Sequence, residues 1–155
     1  MFRSTEVVGI AAETLSFVLD AAADTHPNEY MGLLRGEKAR DLGLDRDGVV
    51  ATDVLVIPGT ESNPVSATVR TSMVPNDRKA VGSVHSHPNG VLAPSDADRA
   101  AFGRNPLHVI LCAPYGPDDW RAFDREGEPR DLEVLEVELP DHEDFFDFDE
   151  ADLDL

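Results

Sequence analysis

Ala80-Val81-Gly82-Ser83-Val84-His85-Ser86-His87-Pro88-Asn89-Gly90, followed by Pro94-Ser95-Asp96-Ala97-Asp98, is the stretch from which the fold can be read. Small and β-branched residues at 80–84 suit a pleated, half-buried strand. Side chains two apart on a strand share a face, so His85 and His87 present both imidazoles to one point while Ser86 turns away. Pro88 ends the strand because it has no N–H for a ladder, and Asn89-Gly90 turns the chain. A helix is expected over 95–103, with Asp98 in its first turn, able to look back at the histidines. Two imidazoles and one carboxylate suit Zn²⁺ and leave the fourth tetrahedral position to water, the arrangement of catalytic rather than structural sites. Ser95-x-x-Asp98 before an alanine-rich run is equally a capping pattern. The two readings are compatible for Ser95, and capping does not account for the histidines.

Outward from this unit the pattern alternates. Ala11 to Ala23 has helical composition and closes before His26-Pro27. Strands are expected at 31–35, about 49–57, about 80–86 and 107–112, and again at Trp120 to Phe123 and Leu132 to Leu139. Arg46-Asp47-Gly48 suits a hairpin turn. There is no internal repeat. The elements predict one α/β domain with a central mixed β-sheet flanked by helices. The lone Cys112 sits in an apolar run and reads as core rather than nucleophile.

His85-Ser86-His87-Pro88, the step to Ser95, and Ser95-x-x-Asp98 resemble the metal motif of the JAMM (MPN+) zinc metalloproteases. That family also carries a glutamate just before a short strand of the form Gly-Leu-Leu-x-Gly. Asn28-Glu29-Tyr30-Met31-Gly32-Leu33-Leu34-Arg35-Gly36 puts Glu29 at the matching place. Outside the resemblance, Glu29 is a glutamate in a loop, and most such side chains are simply solvated. Met31 departs from the family, where cysteine is frequent, and reads as a packing change. The resemblance covers roughly residues 5 to 139. It implies a JAMM catalytic domain over 1–140 with cytidine-deaminase-like layering, and one zinc per chain held by His85, His87 and Asp98. It also implies Glu29 as general base and Ser95 facing the oxyanion. The chemistry needs such a base, because the three ligands do not provide one. The implied substrates are ubiquitin-like small archaeal modifier proteins, released from lysine conjugates or linear fusions after a C-terminal Gly-Gly, as a desampylase does. Processing of β-grasp sulfur-carrier proteins is the alternative.

The long, weakly patterned stretch 59–75 lies where family members that cut ubiquitin-like proteins carry an insertion gripping the modifier tail. Ser66 to Ser72 has the β-branched residues for strand addition, and a plain surface loop is the other reading.

Composition narrows the field. The 155 residues suit one domain, with no apolar run near 18 residues and no secretory pattern, so a cytoplasmic protein without membrane contact is expected. The net charge is −18, with two lysines among 13 basic residues and 19 aspartates among 31 acids. Such a bias resembles proteins of salt-loving cells and argues against a nucleic-acid partner, which requires a basic patch. Residues 141–155 hold eight acids and no Lys or Arg, and read as a flexible acidic tail, solvated or docking a partner. RadC-like proteins share His-x-His-Pro but are linked to DNA. A zinc nucleotide deaminase would need a Pro-Cys-x-x-Cys pair that a chain with one cysteine lacks. A zinc-stabilised binding module without activity would favour four protein ligands. The residues do not indicate an oligomeric state.

Overall fold

The apolar run Val7–Ala11 forms strand β1 and leads directly into helix α1, Ala12–Thr25. This computed structural model describes residues 6–56, 80–102 and 105–139. The chain continues through β2 (Met31–Lys38), β3 (Val49–Val56), β4 (Ala80–His87), helix α2 (Asp96–Phe102) and β5 (Leu107–Cys112). It closes with β6 (Trp120–Phe123), β7 (Pro129–Arg130) and β8 (Glu133–Leu135). The strands make one sheet in the order β7-β6-β5-β4-β2-β3-β1-β8. β4 runs parallel to β5 but antiparallel to β2, so the sheet is mixed, as the alternation of patterns predicts.

Helix α1 explains which face is the core. Leu15, Val18, Leu19 and Ala22 recur at helical spacing, and all are buried. They pack with Val84, Val109 and Leu111, which β4 and β5 direct to the same side. The intervening Ile110 packs instead with Phe123 and Leu92. His85 pairs in register with Ile110.

Several elements depart from the sequence reading, the two-residue strand β7 among them. β1 carries no strand expectation because a five-residue apolar run abutting a helix has no period of its own. β2 continues to Lys38 rather than ending at 35. β2 and β3 do pair antiparallel, with Lys38 opposite Val49, but Arg46-Asp47-Gly48 is not a tight hairpin. The connection passes through a 3-10 turn, Ala39–Leu42, closed by Gly43 at φ 86°. At the end of the domain only Glu133–Leu135 forms ladder bonds, alongside β1. The alternating Leu135, Val137 and Leu139 nevertheless pack against Ala11, Ala39 and Val50, so their periodicity records one-sided burial beyond the ladder. Cys112 is a buried free thiol. The expected loop at 59–75 and the acidic tail at 141–155 lie outside the described residues.

Candidate metal centre

β4 lies fourth from one edge of the sheet, and Gly82 lets it approach β5 closely. A Cβ on Gly82 would run into the carbonyl of Leu107. From that base the strand extends to His85, buried at 3% exposure, and the half-buried His87 at its end. Their Nε2 atoms lie 3.0 Å apart. His87 Nδ1 is 2.8 Å from the carbonyl of Val91. Donation of Nδ1–H to that carbonyl leaves Nε2 bare for an ion, the outer-shell device that fixes ligand tautomers.

The turn brings α2 back to the strand. Gly90, at φ 86°, donates its N–H to the His87 carbonyl, and Val91 N–H donates to Asn89 Oδ1. Asp98 N–H donates to Ser95 Oγ (3.1 Å), while Ser95 N–H donates to Asp98 Oδ2 (2.8 Å). This is a reciprocal capping box, and the same carboxylate reaches both histidines. Asp98 Oδ1 is 3.3 Å from His85 Nε2, and Oδ2 is 3.1 Å from His87 Nε2. Capping and ligand geometry therefore coincide in Ser95 and Asp98. Arg99 points away and donates to the Glu126 carbonyl at 2.7 Å, tying α2 to the β6–β7 turn.

One donor atom from each of His85, His87 and Asp98 fits within 4.8 Å. Two imidazole nitrogens and a carboxylate oxygen, one imidazole already oriented by a carbonyl, are a donor set that fits Zn²⁺. Burial pushes the Asp98 carboxyl up, but the two imidazoles and the Ser95 N–H outweigh it and hold the group far below the usual carboxylate range. Burial pushes His87 down, and Asp98 with the Val91 carbonyl more than reverses this. Glu29 lies in the loop before β2 and lines a cleft of about 650 Å³ with Met31, His87, Val91, Ser95 and Asp98. Burial raises the Glu29 carboxyl, partly opposed by the fields of His85 and His87. Four of the five residues singled out from sequence thus line one cleft, and the fifth, the buried His85, lies behind it against His87 and Asp98. Met31, read as packing, stands opposite His85 in the ladder and forms part of the cleft wall.

Two features here have no counterpart in the sequence reading. Val91 acts through its carbonyl, for which a side chain gives no signal. His108 on β5 is 1% exposed, with Nδ1 2.7 Å from Ser83 Oγ and Nε2 3.0 Å from the Asn105 carbonyl. One accepting and one donating nitrogen suit the neutral ring. Ser83 lies two residues before His85, so strand period alone would have put it on the ligand face.

The chain matches the family described as prokaryotic homologs of the JAB domain over residues 11–126. It belongs to that family. It is 66% identical over 154 residues to a protein from Haloferax volcanii named probable metalloprotease, covering 99% of this chain and 96% of that one. A JAB1/MPN domain protein from Archaeoglobus fulgidus superposes with a TM-score of 0.62 at 30% identity, over 83% of this chain and 100% of the other. A structure described as JAMM, a metalloprotease-like zinc site in the proteasome and signalosome, superposes with a TM-score of 0.61 at 30% identity. It covers 84% of this chain and 99% of that one. The JAB/MPN fold expected from sequence is therefore the fold observed, and the relatives support a JAMM-type metalloprotease whose His85, His87 and Asp98 could hold zinc. No helix among the described residues is long and apolar enough to cross a membrane.

Proposed function

We propose that this JAB-family chain is a zinc-dependent isopeptidase and peptidase. Its substrates are ubiquitin-like modifier proteins, cut from lysine conjugates or linear fusions after their C-terminal Gly-Gly. The observation that carries the hydrolytic reading is the clustering of His85, His87 and Asp98, with His87 and Asp98 lining the same cleft as Glu29. The modifier substrate rests on the resemblance of Glu29-x-x-Gly32-Leu33-Leu34 and the histidine motif to family members that cut such proteins.

One zinc per chain, held by His85, His87 and Asp98, would supply Lewis-acid polarisation of the scissile carbonyl and its attacking water. Glu29 takes the proton from that water and hands it to the departing amine. Burial that raises its carboxyl brings it nearer the pKa such a shuttle needs. Ser95 Oγ accepts its capping bond from Asp98 N–H, which leaves the hydroxyl hydrogen to donate to the developing oxyanion. The catalytic unit is assigned to residues 1–140, in the cytoplasm. The grip on the modifier tail assigned to residues 60–74 lies outside the described residues and rests on the resemblance alone.

The test is to incubate the zinc-loaded protein at high salt with a lysine conjugate of a small archaeal modifier and with a linear fusion of it. Intact mass should show release after the second glycine from both. Folded, zinc-bound protein that cuts neither would overturn the substrate assignment. Cleavage of the linear fusion alone would instead favour a role in processing sulfur-carrier precursors.

A further inference from the structure

Glu29 sits on a five-residue loop between α1 and β2, and an isolated loop holds a carboxylate poorly. Here the loop is fixed at both ends from one direction. Ser86, between the two histidines, turns to the opposite face of β4 and is fully buried. Tyr30 N–H donates to Ser86 Oγ at 2.8 Å, and Ser86 N–H donates to the Tyr30 carbonyl at 2.9 Å. The Ser86 side chain also neighbours the Tyr115 hydroxyl and favours negative charge on it. That hydroxyl lies 2.8 Å from Nδ1 of His26, the residue that caps α1, and the two rings meet edge to face at 5.5 Å. The Tyr30–Ser86 pair of bonds and the Tyr115–His26 contact thus lie side by side, one at each end of the loop.

Tyr115 is also the one non-glycine residue with positive φ (66°) among the described residues. A side chain in the left-handed region is disfavoured and persists only where its surroundings over-determine it. Its ring is 9% exposed and belongs to the main core cluster, which fixes where the hydroxyl must sit. A buried tyrosine needs one partner for its hydroxyl. This one has His26 and also neighbours Ser86, and the two lead to opposite ends of the loop that carries Glu29.

We infer that Tyr115 is a positioning residue for Glu29, acting through Ser86 on Tyr30 and through His26 on the end of α1. The inference rests on the proposed role of Glu29 as proton shuttle. Ligands and base are set from one strand: His85 and His87 fix the metal on one face, and Ser86 relays the position of the base from the other. A loosened loop would leave substrate binding and zinc capture intact while moving the shuttle off its line. Displacements of about 1 Å in such groups cost up to about 100-fold in rate.

The test compares Tyr115→Phe, His26→Ala and His26→Asn with the wild type, using the linear modifier fusion as probe. Tyr115→Phe keeps the ring and the fold. It should lower kcat on the order of 10- to 100-fold with KM, zinc stoichiometry and Tm close to wild type. His26→Ala should do the same, and His26→Asn, which keeps an acceptor near the Nδ1 position, should recover most of the loss. Independently of turnover, amide exchange at Tyr30 should quicken about fivefold or more in Tyr115→Phe, with or without zinc. Unchanged kcat in Tyr115→Phe, or a fall in Tm or zinc that accounts for the whole loss, would overturn the positioning role. If the wild type cleaves no probe, the proposed function fails on its own. The tether is then judged by exchange at Tyr30, and unchanged exchange overturns it.

Discussion

Asp98 shows how much a single residue is asked to do at this site. Its carboxylate caps α2, meets both histidines and stays ionised against its own burial. His85, His87 and Asp98 should therefore act as a set. His87→Ala should lose most of the bound zinc by elemental analysis, and full retention would remove His87 from the ligands. Glu29→Gln should keep zinc and fold while kcat falls by roughly two to four orders of magnitude, since general acid–base catalysis contributes on that scale. Near-normal turnover would assign the proton to another group. His108 sets a pH dependence of a different kind. Burial pushes it down from 6.5 to about 4, so the folded chain holds it neutral. As pH falls, the unfolded chain binds this proton first. The stabilisation is present in full above pH 6.5 and is lost between there and about pH 4, a change on the order of 3 kcal/mol. Denaturant unfolding at successive pH values should show that slope, and His108→Gln should flatten it. An equal slope in the variant would mean that other groups carry it.

Strand β4, its turn and helix α2 were legible because each rests on local chemistry. Period two sorts His85 and His87 from Ser86, Pro88 stops the ladder, and Ser95 with Asp98 announces a helix start. β1 and the 3-10 turn were not legible, since both are defined by what the rest of the sheet places beside them. Glu29 was legible only through resemblance, as nothing in its own loop marks a cleft. The relay through Tyr115 joins residues 89 positions apart and leaves no pattern at all. Gly82 carries the element-scale prediction. Adding a Cβ there forces β4 from β5 three residues before His85. Gly82→Ala should lower stability by about 2–4 kcal/mol in denaturant melts and weaken zinc retention, because overpacking against backbone cannot relax through a side-chain rotamer. An unchanged midpoint would show that the two strands can separate without cost.

The whole molecule carries a charge of −18, far more than the site requires. Self-repulsion of that size is relieved by screening. Raising NaCl from about 0.1 M to about 2 M should lift Tm by roughly 2–8 °C, as a gain of about 1–2 kcal/mol does for a domain of this length. A Tm indifferent to salt would mean that the acids are too well spread to repel. A chain this size also has to find one strand alignment among several, and β4 makes the outcome all or nothing. Slipping it by one residue would send both histidines to the α1 side and Ser86 to the cleft in a single move. Misaligned molecules would lose the His85-His87-Asp98 cluster and the Ser86–Tyr30 tether together. Zinc uptake during refolding would then count only those chains whose β4 has settled in the right register.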